Sequence, residues 1–144
     1  MTKPSVLVVD DDESFRSSLG AFLTHRGYEV ETAVSGERAI ARLRAASQPS
    51  VLILDLMMPR VGGIEVLEEM ARSRRTVPTI VLSGMGQVTM VVKAMRLGAS
   101  DYLVKPFADE DLERAVQSAL DESQGGAPAP SGTPIREVIS CNPQ

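Results

Sequence analysis

Aromatic side chains are scarce in this 144-residue chain: they make up 3% of it, and tryptophan is absent. That leaves little with which to stack nucleobases. Cysteine occurs once, as Cys141, so no disulfide can close within the chain, and its segment is a poor one for metal binding. A reducing cytoplasm is the expected compartment. Positive charge is not in excess: 15 Lys and Arg stand against 19 Asp and Glu, for a net charge of -4. No general attraction to nucleic acid or to an anionic membrane is therefore expected. No apolar run approaches the ~20 residues of a spanning helix, and the N-terminus lacks a signal-peptide pattern. The one histidine, His25, falls near the end of an amphipathic stretch and reads as a surface residue.

Apolar residues are plentiful enough, at 43% against 24% charged, to bury a full core. The chain is organised around Val51-Leu52-Ile53-Leu54-Asp55-Leu56-Met57-Met58-Pro59. Its apolar start is too short for a helix and rich in branched side chains, so it reads as a strand buried on both faces. It delivers one carboxylate, Asp55, and Pro59, Gly62 and Gly63 then force a turn. A charge at the end of a buried strand is costly unless it has partners or a task. In an open parallel sheet, that edge is where ligands bind.

Ser5-Val6-Leu7-Val8-Val9 is a second buried strand, ending in Asp10-Asp11-Asp12. A helix follows, with Phe15, Leu19, Phe22 and Leu23 on one face, Asp12 as its N-cap and Gly27 as its stop. Residues 28–33 alternate as an edge strand exposed on one side, and Ser35 caps a helix carrying Ala39, Ile40 and Leu43. After the Asp55 strand comes a helix with Ile64, Leu67, Met70 and Ala71, then the strand Thr79-Ile80-Val81-Leu82, ending at Ser83-Gly84. The next helix, about 87–97, presents Val88, Val91, Val92 and Met95 as an apolar stripe expected in the core. Met57, Met58 and Met85 are read as core or loop packing, not as soft-metal ligands. Asp101-Tyr102-Leu103-Val104-Lys105 is the fifth strand, and a helix with an acidic first turn begins near Asp109. Five alternations of strand and helix predict a doubly wound parallel α/β sheet. Composition changes at Ser123: residues 123–134 are expected to form a flexible linker, and 135–144 a tail too short to fold alone.

Besides Asp55, the strand ends deliver Asp10 and Asp11, Ser83, and Lys105. In a sheet of order 2-1-3-4-5 the first and third strands are neighbours, so Asp10, Asp11 and Asp55 converge. Three carboxylates together raise one another's pKa unless a cation neutralises them. Oxygen ligands without His or Cys specify a hard ion, Mg²⁺ in a cell. With the ammonium of Lys105 and the hydroxyl of Ser83, the group forms a cradle for a phosphoryl group on a carboxylate.

Residues 4–122 resemble the receiver domain of bacterial two-component response regulators. The likeness rests on Val9-Asp10-Asp11-Asp12, on Asp55-Leu56-Met57-Met58-Pro59 with its glycines, on Ser83-Gly84 and on Lys105-Pro106-Phe107, in that order. It implies a five-stranded sheet of order 2-1-3-4-5 flanked by five helices, the flavodoxin-like receiver fold. It makes Asp55 the phosphoacceptor for a sensor histidine kinase. Asp10, Asp11, Asp55 and the backbone carbonyl of Met57 become ligands of Mg²⁺. Lys105 pairs with the phosphoryl group, Ser83 swings in to bond it, and Tyr102 is the switch aromatic that follows. The Lys105-Pro106 bond is expected to be cis and to aim Lys105 into the site. Such a domain is a switch that catalyses its own phosphoryl transfer, not an enzyme with a separate substrate. It signals through the face of its fourth helix, fifth strand and fifth helix, and is expected to form a homodimer when phosphorylated.

Neither Met57 nor Met85, each two residues beyond a site residue, can orient an attacking water, so self-hydrolysis is expected to be slow. The tail Ile135-Arg136-Glu137-Val138-Ile139-Ser140-Cys141-Asn142-Pro143 resembles the entry to the ATPase domain of nitrogen-regulator-type, sigma-54-dependent transcription activators. The alternatives are a stand-alone receiver that docks on a partner and a degenerate receiver that never takes phosphate. A haloacid-dehalogenase-type phosphatase would need an Asp where Met57 stands, and a flavodoxin-type carrier a hydroxyl-rich loop where the acids follow the first strand.

Overall fold

The structure is a computed structural model and describes residues 3–125. The expected tail and most of the expected linker lie outside the described residues. In chain order the elements are β1 (Ser5–Val9), α1 (Glu13–His25), β2 (Glu29–Ala33), α2 (Gly36–Leu43), β3 (Val51–Asp55), α3 (Gly63–Arg72), β4 (Thr79–Ser83), α4 (Val88–Arg96), β5 (Asp101–Val104) and α5 (Asp109–Gly125). α5 thus runs three residues into the stretch read as linker.

The strands form one parallel sheet of order β2-β1-β3-β4-β5, as expected. Parallel strands need helical crossovers, and these cover both faces of the sheet. Alternate residues of each central strand therefore enter different cores although all are buried. Val6 and Val8 join Ile53, Ile80 and Leu82 beneath α1 and α5. Leu7 and Val9 join Leu52, Leu54 and Val81 beneath α2, α3 and α4. Local signals set the helix starts. Asp12 accepts a hydrogen bond from the Phe15 N–H at 3.2 Å, and Ser35 accepts one from the Arg38 N–H at 3.2 Å.

The stripe on α4 departs from expectation. Val91 and Ala94 are buried, but Val88 is 71% exposed and Val92 and Met95 are also exposed. The reason lies in β5, whose alternate residues Tyr102 and Val104 are exposed on the sheet's edge strand. α4 turns Val91 and Ala94 toward the sheet, and the neighbouring stripe faces a cavity of about 520 Å³ that Tyr102 and Val104 also line. Periodicity identified the apolar stripe but not that, among the described residues, no helix covers this part of β5. Met57 and Met85 are likewise exposed, whereas Met58 packs partly buried against the core.

Candidate functional site

Register brings the chemistry to one edge. Val9 pairs with Leu54, Asp55 with Leu82, and Ser83 with Val104. Asp10, Asp55, Ser83 and Lys105 consequently leave their strands at nearly the same level, at the carboxyl ends.

Asp10 is fully buried and Asp55 is 6% exposed, while Asp11 faces solvent. A carboxylate oxygen from each lies within 4.8 Å of the other two. Lys105 places its ammonium Nζ 3.0 Å from Asp10 Oδ2 and 3.7 Å from Asp55 Oδ2. Asp10 Oδ1 accepts the Asp12 N–H at 2.9 Å, and Asp55 Oδ1 accepts the Met57 N–H at 3.2 Å. One ammonium among three carboxylates does not balance them. Burial, then the charge of Asp10, push the Asp55 carboxyl up from 3.8 to about 6, against the Met57 N–H and the Lys105 ammonium, which favour its ionised form.

The loop after Asp55 is drawn in tightly by α3. A Cβ at Gly63 would lie 2.6 Å from the Asp55 carbonyl oxygen, so only glycine permits this approach. Glu65 Oε1 accepts the Gly62 N–H at 2.9 Å and fixes the helix entry. Ser83 is buried, and its Oγ has no hydrogen-bond partner among the described residues. Tyr102, 45% exposed, lines the same cavity as Ser83. The Lys105-Pro106 peptide is cis. His25 is exposed at the end of α1.

The sequence reading missed the surroundings of Asp10 and Lys105. Arg16 donates to the Asp10 carbonyl oxygen at 2.8 Å, and Lys105 Nζ lies 4.1 Å from the centroid of the Phe15 ring. Both residues sit one turn into α1, where helical periodicity had assigned Phe15 to the core alone. Their closeness to the Asp10 motif was the available signal.

The donor set at Asp10, Asp11 and Asp55 is entirely oxygen, clustered and under-neutralised, which suits a hard divalent cation. A doubly wound parallel sheet with such an acidic site at the carboxyl ends of its strands defines the class. The chain belongs to the response regulator receiver domain family, whose profile matches residues 6–117. It is 42% identical over 118 residues to the probable transcriptional regulator ycf27 of Porphyra purpurea, across 82% of this chain and 48% of that protein. The chain thus spans about half the length of the curated relatives it matches. Among solved structures it resembles FixJ-N at 36% identity and a TM-score of 0.78, covering 84% of this chain and 96% of that one. NtrX from Brucella abortus, crystallised in complex with ATP, matches at 29% identity and a TM-score of 0.79, across 87% of this chain and 28% of that one. Among the described residues no helix is long and apolar enough to cross a membrane.

Proposed function

We propose that this domain is a phosphorylation switch with Asp55 as its phosphoacceptor. The observation that carries the reading is the placement of Asp10, Asp11, Asp55 and Lys105 at one strand edge, with the ammonium 3.0 and 3.7 Å from two of the carboxylates. An oxygen of Asp55 forms a bond to phosphorus as the bond from phosphorus to the donor histidine of a sensor kinase breaks, and the imidazole keeps the electron pair. Lys105 stands where it can offset charge on the incoming oxygens. Asp10, Asp11, Asp55 and the Met57 carbonyl would hold Mg²⁺, which when bound supplies the remaining positive charge. The domain catalyses this transfer on itself and turns over no separate substrate.

The acyl phosphate adds a charge of roughly -1.5 to -2. The Ser83 hydroxyl, unpartnered among the described residues, then bonds to it, and Tyr102 moves toward the space that Ser83 leaves. The α4, β5 and α5 face changes with them and controls homodimerisation and output. Transcription is the output favoured by the likeness to ycf27, and the resemblance of residues 135–143 to the entry of a sigma-54-dependent ATPase domain favours such an ATPase as the output module. Exposed methionines at positions 57 and 85 offer nothing to orient water, so the acyl phosphate is long-lived. The place of action is the cytoplasm, where the kinase presents its histidine.

The test is intact mass after incubation with acetyl phosphate, with and without Mg²⁺, for the wild type and Asp55→Asn. A Mg²⁺-dependent phosphoryl adduct on the wild type alone is expected. Its absence from folded protein would leave a receiver regulated by binding instead. Decay within seconds, without a phosphatase, would refute the long lifetime.

A further inference from the structure

Metal binding would loosen Lys105 from both its carboxylate partners before any phosphoryl group arrives to replace them. Asp10, at 3.0 Å, is also a candidate ligand of a cation that repels the ammonium. Asp55, at 3.7 Å, is a candidate ligand of the same cation. The third neighbour is the Phe15 ring, 4.1 Å from Nζ, and its negative face persists in every state of the site.

The ring is well braced. Phe107 meets it edge to face, with centroids 6.0 Å apart and planes at 87°, and both rings pack against the core beneath α1 and α5. The turn that sets the ring also sets Asp10. Asp12 caps the Phe15 N–H through its side chain while donating its own N–H to Asp10 Oδ1. Ring, carboxylate and ammonium therefore share one frame. Core packing alone does not call for a ring at this half-buried position, since an aliphatic side chain would continue the apolar stripe of α1.

We propose that Phe15 is a positioning residue, whose ring keeps the Lys105 ammonium beside Asp55 while a metal ion competes for its carboxylate partners, so that the ammonium is in place for the incoming phosphoryl oxygens. The proposal rests on the phosphoacceptor reading above.

The experiment uses the full chain with ¹³C at the lysine ε carbons. The lysines are Lys3, Lys93 and Lys105, so the signals can be assigned by substitution. A ring current shifts the ε protons of Lys105 upfield, and this shift is expected to persist at saturating Mg²⁺ and to vanish in Phe15→Leu. Phosphorylation by acetyl phosphate is expected to lose about tenfold in kcat/KM in Phe15→Leu, the size of a partly desolvated cation–ring contact. Phe15→Tyr, which keeps the ring, restores both signals. Loss of the wild-type shift on adding Mg²⁺ overturns the proposal, as does a folded Phe15→Leu that reacts like the wild type. A wild type that takes no phosphoryl group overturns the phosphoacceptor reading itself, and the role of Phe15 falls with it.

Discussion

Asp55→Asn is expected to make the metal-free protein more stable at neutral pH, although it removes a residue central to the site. Raising the Asp55 carboxyl from 3.8 to about 6 means that the folded protein disfavours its charge by about 3 kcal/mol relative to the unfolded chain. Asparagine removes the charge and keeps an oxygen for the Met57 N–H, now 3.2 Å away. The attraction of Lys105 at 3.7 Å is already contained in the upward shift. The new amide must be desolvated, however, and leaves the ammonium a weaker partner, so a net gain of about 1.5 kcal/mol is expected. For a domain of this size that is a rise of roughly 5 °C in Tm. The pH dependence follows from the direction of the shift. Between about pH 4 and pH 6 the folded protein holds a proton at Asp55 that the unfolded chain has lost. This group's contribution to stability is thus most favourable below about pH 4 and declines as pH rises to about 6. Urea unfolding followed by far-ultraviolet circular dichroism, in chelator, at pH 4.5 and pH 7.5, measures the gap between variant and wild type. The gap should be small at the lower pH and full at the higher. Mg²⁺ should reverse the order, because a ligand that binds the folded wild type more tightly stabilises it more. An Asn variant less stable than wild type at pH 7.5 in chelator, or a gap independent of pH, would refute the reasoning.

Lys105→Ala removes the ammonium beside fully buried Asp10 and is expected to cost about 3 kcal/mol in chelator, with part recovered in Mg²⁺; urea titration measures both. Gly63→Ala drives a methyl group to 2.6 Å from the Asp55 carbonyl. It should cost about 2 kcal/mol of stability and slow phosphorylation, whereas a silent substitution would mean that the loop has room the structure does not show. Met57→Glu offers a carboxylate to orient water near Asp55 and is expected to shorten the acyl phosphate's half-life by about tenfold, read by intact mass over time.

The fold was largely legible because its signals are local and repeated. The buried runs of β1, β3 and β4 are too short and branched for helices, and Asp12, Ser35 and Gly27 punctuate the chain where its elements turn. Gly27 adopts a φ of 96°. The candidate site was legible in its members because each ends a strand. Sequence did not reveal its balance of charge. Only the fold shows that Asp10 is fully buried while adjacent Asp11 faces solvent, or that Lys105 lies closer to Asp10 than to Asp55. Phe15 was hidden for a different reason. A residue on an apolar helical stripe looks like packing, and its approach to a lysine 90 positions later depends on tertiary geometry. The exposure of Val88, Val92 and Met95 has the same origin, since helical periodicity gives an apolar face but not what lies across from it.

The thin anchoring of α4 has an energetic consequence. α3 holds to the sheet through Ile64, Val66, Leu67 and Met70, whereas the buried side chains of α4 are Val91 and Ala94, with Met90 and Leu97 partly buried beside them. Each large apolar side chain withdrawn from water contributes roughly 1.5–3 kcal/mol. Detaching α4 therefore costs several kcal/mol less than detaching α3, and its amides should exchange with solvent through openings that leave the rest of the sheet closed. The domain carries this lightly held helix immediately after the strand that ends at Ser83, so a small free energy released at the carboxylates would be enough to do mechanical work there.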